Sequence, residues 1–325
     1  MKKSRNRVLF VHYSFTSFIK KDFEMLDKHY NVKKIAWKGK RSILSVARNV
    51  FKTDLVFSWF AGDASAVAVF FSRLFRKKSV IIVGGIDVQN IPEFNYGQFT
   101  QGWLKRFLTR YAVKHADVVL PVSDYIKDEM LKRTKPKCYE IIYNGVDTEK
   151  FVPKGNKEKI VVTIGNVTED RIRIKGLETF DRASKSFPDY KFVIIGKYEE
   201  TMKEKLQEIN PDLIFTGRIN HEEVLDWLQR AKIYCQLSYV ESFGLGVAEA
   251  MSCNCIPIVT NRGALPEIVG KTGFYVEYGS EKQTIDAIKK AVNSKNKTRD
   301  RVEQLFSIKK REAKIIKKIG SLIKG

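Results

Sequence analysis

The chain has 325 residues, of which 43% are hydrophobic, and it carries a net charge of +22. This length suits two domains with cores of their own, and the composition excludes an extended disordered chain. The apolar runs are too short to cross a bilayer and no signal peptide is recognisable, so we expect a cytoplasmic protein.

The positive charge lies mainly in the first half of the chain. Residues 1–150 contain 28 Lys and Arg against 14 Asp and Glu, whereas residues 151–325 contain 31 against 23. A basic half is typical of proteins that meet an anionic membrane surface, an anionic acceptor or nucleic acid. The four cysteines match no zinc-binding spacing, and we expect them to be buried free thiols.

Short apolar runs alternate with helix-like segments, which predicts parallel sheets covered by helices. Twelve runs are predicted as strands: Arg7–Ser14, Val32–Trp37, Asp54–Phe60, Ser79–Gly84, Val118–Ser123, Glu140–Asn144, Ile160–Asn166, Lys191–Gly196, Leu213–Gly217, Ile233–Leu237, Ile256–Thr260 and Phe274–Glu277. Helices are predicted at Glu222–Arg230, capped by Asn220, and at Glu281–Val292. The polar stretch 151–159 predicts a link between two Rossmann-like halves.

A basic cluster follows the first predicted strand of the second half. Gly165 lies at the end of that strand, and Arg171, Arg173 and Lys175 follow before Gly176. Cations in this position can reach the crevice beyond the strand ends and neutralise a pyrophosphate. An ordinary basic surface loop is the alternative.

The segment YVESFGLGVAEA, residues 239–250, places two acids around an uncharged glycine turn. Glu241 and Glu249 are eight residues apart, which is about 12 Å along a straight helix. That exceeds the roughly 5 Å of a retaining glycosidase pair. A helix start near Phe243 or Gly244 would offer N–H groups to a phosphate, and a carboxylate suits the vicinal hydroxyls of a ribose. Two acids on a solvated helix start are the alternative.

Several segments in order resemble the retaining glycosyltransferases of the GT-B fold, in family four. They are HADVVLPVSDYIKDEM at 115–130, IIYNGVDTEKF at 141–151, and the stretch 239–270, which contains the E-x7-E motif of that family. The resemblance covers residues 115–280. It implies an α/β architecture of two Rossmann-like domains whose parallel sheets face a central cleft. The expected parts are an acceptor-binding domain (1–152), a domain that binds the nucleotide sugar (153–300) and a basic amphipathic helix (301–325).

The resemblance also implies roles for single residues of the second domain. Glu249 would hold the ribose hydroxyls, Glu241 would lie near the donor sugar, and Lys175 would bind phosphate. The catalytic candidates are Glu241, Lys175 and Arg171. The donor-binding candidates are Glu249, Phe243, Gly244, Leu245, Gly165, Asn166, Arg173, Arg218 and Ile219.

The sequence departs from the family pattern at three positions. Asn166 stands where the family has an arginine after the glycine, so Arg171 or Arg173 is expected to supply that charge. The family's histidine is absent from VGGIDVQNIPEF (83–94), and VHYSFTSF (11–18) replaces its glycine-rich loop. The acceptor-side candidates are therefore His12, Gly85 and Asp87.

The implied activity is transfer of a sugar, with retention, from a UDP- or GDP-linked donor to a hydroxyl of a lipid-linked or cell-envelope glycan. We expect a hexosyltransferase that needs neither metal nor cofactor, because fixed cations and helix N–H groups can stabilise the leaving diphosphate. The aromatic and basic segments 66–78 and 102–115 favour contact with anionic lipid, and hence a peripheral position on the inner face of the cell membrane.

Three other functions fit parts of the sequence. A non-catalytic, sugar-nucleotide-binding partner subunit fits the departures from the family pattern. A nucleic-acid-binding protein fits the charge, but no standard motif for it is present, and nucleic acid is not expected as a partner. A dehydrogenase fits the strand–helix alternation, but no G-x-G-x-x-G follows a first strand.

Overall fold

The computed structural model describes residues 6–324, which divide into two compact units. Residues 6–144 and 309–324 form the first unit, and Gly145–Ile308 forms the second. Residues 145–152 were predicted in the first domain but lie in the second unit. The predicted C-terminal helix (301–325) is divided, because residues up to 308 lie in the second unit and residues 309–324 in the first.

The first unit is built on a parallel sheet. Its strands are β1 (Arg7–His12), β2 (Asn31–Ala36), β3 (Leu55–Trp59), β4 (Lys78–Val83) and β5 (Val118–Pro121). Its helices up to residue 144 are α1 (Ser17–His29), α2 (Ile43–Phe51), α3 (Asp63–Leu74), α4 (Trp103–His115) and α5 (Asp124–Arg133). Within residues 6–144 the strand order is β2–β1–β3–β4–β5, so the chain reverses its direction across the sheet between β1 and β3.

The second unit has a parallel sheet of its own. Its strands are β6 (Glu158–Ile164), β7 (Lys191–Ile195), β8 (Ile214–Phe215), β9 (Ala231–Gln236), β10 (Ile256–Thr260) and β11 (Phe274–Val276). Its helices are α6 (Glu169–Ile172), α7 (Leu177–Ser184), α8 (Glu200–Gln207), α9 (His221–Arg230), α10 (Leu245–Ser252), α11 (Leu265–Val269), α12 (Glu281–Val292) and α13 (Arg299–Leu305). The last helix of the chain, α14 (Ile308–Lys324), belongs to the first unit from residue 309 onward. Within Gly145–Ile308 the strand order is β11–β10–β9–β6–β7–β8, which places the reversal between β6 and β9.

Both sheets are parallel and their central strands are buried, which explains why those strands read as continuous apolar runs. In the first unit Phe10 of β1 stacks on Phe57 of β3, with ring centroids 5.6 Å apart. In the second unit Phe180 of α7 meets Phe192 of β7 edge to face at 5.2 Å. The predicted capping box of α9 is present, with Asn220 and Glu223 exchanging their side-chain and backbone bonds.

The predicted strand Glu140–Asn144 is wrong. This segment runs beside β5, and the Ile142 N–H donates to the Pro121 carbonyl at 3.0 Å, but it does not form a regular strand. The Arg311 guanidinium donates to the carbonyls of Ile142 and Tyr143 at 3.0 and 2.8 Å. A side chain from distant sequence therefore satisfies carbonyls that a sheet ladder would otherwise use.

The predicted C-terminal helix is two helices, α13 and α14. The backbone of Val146 separates them, because its N–H donates to the Phe306 carbonyl and its carbonyl accepts from Ile308, both at 2.8 Å. The long helix α14 is basic and amphipathic as predicted, and it buries Ile315 and Ile319. None of the described helices combines the length and the apolar character needed to span a bilayer.

All four cysteines lie within the described residues and are free. Cys235, Cys253 and Cys255 are buried as expected, and burial raises the pKa of each thiol. The prediction is wrong for Cys138, which is exposed just after the polar segment that follows α5.

A buried acid on α7 predicts an unusual pH dependence of stability. Asp181 is fully buried, neither carboxylate oxygen has a hydrogen-bond partner among the described residues, and burial raises its pKa to about 7. In the unfolded chain the same group titrates near 3.8. Between these values the folded state holds a proton that the unfolded state has lost, so stability falls as pH rises from about 4 to 7.

Asp181→Asn is therefore expected to raise the free energy of unfolding at pH 8 by on the order of 2 kcal/mol, and to change it little at pH 4. Urea denaturation at both pH values measures this difference. Asp189→Asn, at an exposed acid of the same region, is the matched control and should have no such effect. An equal effect of Asp181→Asn at both pH values would contradict the burial argument.

Candidate functional site

The second unit brings its candidate residues to one place, the reversal point between β6 and β9. Gly165 follows β6 directly, and the segment that carries Glu241 follows β9. In open parallel sheets the loops at such a point separate to opposite faces and leave a crevice beyond the carboxyl ends of the strands. Ligands of these folds bind in that crevice.

Lys175 and Glu241 meet at this crevice. Lys175 Nζ lies 2.6 Å from Glu241 Oε1, and the two side chains are 25% and 15% exposed. Gly165 lies against the stem of the lysine, because a Cβ on Gly165 would be 3.6 Å from Lys175 Cγ. The structure thus joins the predicted phosphate-binding lysine, the first acid of the motif and the strand-end glycine.

Two polar residues that sequence reasoning missed hold Glu241 in place. Gln236 Nε2 and Ser238 Oγ donate to Glu241 Oε1 at 3.0 and 2.9 Å. Behind them, the Tyr234 hydroxyl donates to Gln236 Oε1 at 2.8 Å. The signal in the sequence was a glutamine at the end of the apolar strand β9, where an isolated amide needs a partner. The bonds from Lys175, Gln236 and Ser238 all go to Oε1, so among the described residues Oε2 is left to accept from a ligand.

The motif turn forms the start of α10. Gly244 has φ +86° and lies just before the helix, and as a glycine it has no side chain that could cap the first turn. The N–H groups of such a start carry the positive end of the helix dipole and suit an anion. Phe243 is buried and meets Phe306 edge to face at 5.5 Å, so only its backbone can face a ligand.

Glu249 lies in the second turn of α10 and is 4% exposed. Both motif acids affect the pKa of Tyr234. Burial raises the pKa of this hydroxyl well above its usual value, and the negative charges of Glu241 and Glu249 raise it further. The charges of both motif acids therefore act on one buried tyrosine, Tyr234. Leu245, the first residue of α10, is half-buried beside them.

The basic loop before α7 is positioned by its backbone. Gly176 has φ +64°, and a Cβ there would lie 2.1 Å from the Leu237 carbonyl oxygen, so glycine is required for this close approach. Arg171 forms a 3.0 Å ion pair with Asp170 at the surface, and Arg173 is exposed. The side chain of Lys175, the third predicted cation, bonds to the motif acid Glu241.

An aromatic cluster that the sequence did not reveal packs beneath this loop. The Tyr278 hydroxyl donates to the Arg173 carbonyl at 2.6 Å, and the Tyr278 and Tyr239 rings lie 5.1 Å apart. The Arg262 guanidinium lies 3.7 Å from the centre of the Tyr239 ring and donates to the Tyr239 carbonyl. The backbone N–H of Tyr239 donates in turn to the Ile174 carbonyl at 2.8 Å, so the cluster ties the loop to β9.

The remaining donor-side candidates lie along the same edge of the sheet. Asn166 is exposed next to Gly165. A Cβ on Gly196, just after β7, would lie 2.4 Å from the Gly165 carbonyl oxygen, and Gly196 pairs with Gly217 after β8. Arg218 and Ile219 follow Gly217 directly, with Arg218 exposed and Ile219 half-buried.

In the first unit, Asp87 is a buried anchor for two loops. Its carboxylate accepts from the backbone N–H groups of Ala61 at 2.8 Å, Gly85 at 2.7 Å and Gly84 at 3.4 Å. Burial raises its pKa to about 6 despite these bonds, which favour the charged form. Asp87 therefore holds the segments after β3 and β4 together, and Gly85, at φ +126°, lies in the turn that follows β4.

His12 ends β1, is 5% exposed and packs its ring 5.0 Å from that of Phe15. Burial lowers its pKa, so the imidazole is neutral near pH 7. The next residue, Tyr13, donates to Asp63 at 2.6 Å, and Trp37 Nε1 donates to the same carboxylate at 2.9 Å. This polar group stands at the reversal point between β1 and β3 and was not found from the sequence.

Two family models match consecutive parts of the chain: glycosyltransferase family 4 over residues 25–150, and glycosyl transferases group 1 over residues 147–305. The chain belongs to the glycosyl transferases group 1 family. Relatives in this family are distant. The phosphatidylinositol N-acetylglucosaminyltransferase GPI3 subunit of Saccharomyces cerevisiae is 26% identical over 219 residues, which are 62% of this chain. The O-antigen chain mannosyltransferase RfbU of Salmonella typhimurium is 28% identical over 63% of this chain.

The chain spans about half the length of the yeast relative, 48%, and 59% of the Salmonella protein. Solved structures match over nearly the whole chain. The structure of Anabaena HepE in complex with UDP and glucose has a TM-score of 0.79 at 15% identity, and the match covers 97% of this chain and 100% of that one. Sucrose-phosphate synthase from Thermosynechococcus elongatus has a TM-score of 0.79 at 17% identity, over 98% and 99%. The fold is therefore GT-B.

Proposed function

We propose that this chain is a retaining glycosyltransferase that moves a hexosyl group from a UDP- or GDP-linked donor to an acceptor hydroxyl on a lipid-linked or cell-envelope glycan. The observation that carries the proposal is the Lys175–Glu241 pair at the reversal point of the second sheet, beside the start of α10 at Gly244. It combines a fixed cation, a fixed carboxylate and helix N–H groups within one crevice.

Each part has a place in the reaction. The diphosphate would lie at the start of α10, where the helix dipole and Lys175 oppose its charge. As the sugar–phosphate bond breaks, the charge on the leaving oxygen grows, and the ammonium of Lys175 stabilises it more than it stabilises the ground state. Glu241 Oε2 would accept from a hydroxyl of the donor sugar, and Glu249 would accept from the ribose hydroxyls.

No step of this scheme requires a metal ion, and metal independence stays part of the proposal. Arg171 and Arg173 remain candidates for additional phosphate contacts, since both lie in the loop that carries Lys175. His12, Gly85 and Asp87 are proposed for the acceptor side. For Asp87 the proposed role is to shape the loops that face the acceptor, because its oxygens are already engaged by backbone N–H groups.

The relatives support the chemical class of the substrates. The Anabaena structure holds UDP and glucose, the yeast protein is named for transfer of N-acetylglucosamine to phosphatidylinositol, and the Salmonella protein for transfer of mannose in O-antigen chains. From the Anabaena structure we extend a nucleoside diphosphate donor to this chain, and from the yeast and Salmonella proteins a lipid-linked or envelope glycan acceptor.

Glu249→Ala is expected to weaken nucleotide binding by about 10- to 100-fold, because two charge-assisted hydrogen bonds to the ribose are lost. Titration calorimetry with UDP and with GDP measures the change. Glu249→Gln keeps one acceptor oxygen, so its nucleotide affinity should lie between those of Glu249→Ala and the unaltered protein. Glu204→Ala, at an exposed acid of α8, should bind the nucleotides as the unaltered protein does. Equal affinities of Glu249→Ala and the unaltered protein for both nucleotides would remove Glu249 from the site.

A transfer assay separates the enzyme from a non-catalytic partner subunit. Thermal-shift screening against UDP- and GDP-sugars first identifies the donor that binds. Release of free nucleotide from that donor, with or without an acceptor, then measures turnover. Donor binding with no nucleotide release under any of these conditions would favour the non-catalytic subunit.

A further inference from the structure

Three helices of the first unit leave large apolar side chains in contact with solvent. Ile43 of α2, Phe70 of α3 and Phe107 of α4 line a shared surface groove of about 360 Å³, whose other lining residues also come from α3 and α4. We call the exposed apolar residues around this groove the apolar helical face. Its members are Ile43, Phe70, Leu74, Trp103, Leu104 and Phe107.

Helical spacing places these residues together rather than scattering them. Trp103 and Phe107 are one turn apart on α4 and are 74% and 55% exposed. Phe70 and Leu74 are one turn apart on α3 and are 50% and 60% exposed. Single exposed apolar residues are ordinary, but a groove with an exposed apolar rim from three helices is typical of an interaction surface.

The charge around this face has a single sign. No Asp or Glu occurs in the three segments that contain α2, most of α3, and α4. These segments hold five Lys or Arg residues in 38–52, four in 64–78 and four in 102–115. Lys105, Arg106 and Arg110 are exposed on the same helix as Trp103 and Phe107. A protein partner with an ordinary mixed surface would meet repulsion here, whereas an anionic lipid surface complements both the cations and the apolar side chains.

The other basic amphipathic helix of the chain does not offer such a surface. Helix α14 buries Ile315 and Ile319 against the first unit, and its Arg311 is 3% exposed. Its apolar side is therefore already covered. The distinction between α14 and the apolar helical face rests on burial, because both have the composition of a membrane-surface helix.

We propose that the apolar helical face docks on an anionic lipid bilayer, with Trp103, Phe107 and Leu74 entering the interface and the surrounding lysines and arginines contacting lipid phosphates. Tryptophan suits this boundary because its ring is apolar and its N–H is polar. The residues of this surface belong to the first unit and those of the candidate donor site to the second, so the inference does not rest on the proposed transfer reaction.

Co-sedimentation of the full chain with vesicles tests the proposal. Vesicles of phosphatidylcholine alone are compared with vesicles that also contain phosphatidylglycerol, each at low and high salt. The unaltered protein should bind the anionic vesicles and should bind them less at high salt, because counterions screen the basic face. The variant Trp103→Ser/Phe107→Ser should bind them about tenfold more weakly or worse, since both apolar contacts are lost.

Matched variants keep the test specific. Lys105→Glu/Arg110→Glu should abolish the preference for phosphatidylglycerol, whereas Lys289→Glu/Lys290→Glu, the same charge change on α12 of the second unit, should preserve it. Leu305→Ser, at an exposed leucine of α13, is the control for the serine variant. All changed side chains are exposed, and melting curves confirm that each variant is folded.

Quenching by brominated phosphatidylcholine in the anionic vesicles locates the contact. It should reduce tryptophan fluorescence of the unaltered protein and much less that of Trp103→Phe, which should still bind. Absence of binding to either vesicle would overturn the proposal, as would binding that Trp103→Ser/Phe107→Ser leaves unchanged. A dimer in sedimentation velocity that this variant disperses, without any vesicle binding, would assign the face to a second copy of the chain instead.

Discussion

Arg311→Ala is expected to lower the free energy of unfolding by about 3–5 kcal/mol, because it leaves a buried carboxylate without its partner. Arg311 and Asp22 are 3% and 1% exposed, and their two bonds measure 2.8 and 2.6 Å. Arg311 also donates to the carbonyls of Ile142 and Tyr143, and Trp59 Nε1 donates to Asp22. The single arginine thus attaches α14 to α1 and to the segment after β5.

Differential scanning calorimetry of the full chain measures this change, as a lower melting temperature of the transition that involves the first unit. Lys318→Ala is the matched control on the same helix. Lys318 pairs with Glu140 at 2.6 Å, but both side chains are partly exposed, so its loss should change the free energy of unfolding by no more than about 1 kcal/mol. The double variant Asp22→Leu/Arg311→Met should recover much of the loss. Similar losses for Arg311→Ala and Lys318→Ala would contradict the burial argument.

Lys175→Ala is expected to reduce turnover by about 10²- to 10³-fold, as the loss of one preorganised group that stabilises developing negative charge does in other enzymes. The effect should fall mainly on kcat, because the lysine opposes charge that grows in the transition state. Release of nucleotide from the donor identified by thermal shift measures it at saturating donor concentration. Lys175→Arg should retain part of the activity, since it keeps the charge but changes its geometry.

Lys205→Ala is the control for this variant. Lys205 also pairs with a glutamate, Glu178, at 2.8 Å, but it is exposed on α8 and outside the crevice. The turnover of Lys205→Ala should equal that of the unaltered protein. If Lys175→Ala kept full turnover while folded, the lysine would have no part in stabilising the leaving group, and its bond to Glu241 would be structural.

Much of the fold follows from local sequence. Eleven of the twelve predicted strands are present within residues 6–324. The central ones were recognisable because a strand buried on both faces has to be apolar throughout. The E-x7-E segment with its glycine turn and the basic loop ending at Gly176 were recognisable for a similar reason. In both, the backbone conformation restricts which residues can occupy the turn. The candidate roles of Lys175, Glu241 and Glu249 came from family resemblance and remain predictions.

Partners distant in sequence could not be read from these patterns. Gln236 and Ser238 are near Glu241 in the chain, but the bond from Lys175 crosses 66 positions and exists because β6 and β9 are neighbours. The failed strand Glu140–Asn144 has the same origin, since Arg311, 168 or more positions away, occupies its carbonyls.

The sequence by itself determined the class of fold, the order of the strands along the chain, the motif acids and the excess of positive charge. Only the tertiary structure decided that Lys175 bonds to Glu241, which of two basic amphipathic surfaces is covered, and which buried charge has a partner. The physical reason is that the spacing of apolar residues in the sequence shows only which face of a single helix or strand is apolar. Pairing, burial and the pKa of a group such as Asp181 depend on what the other elements bring against that face.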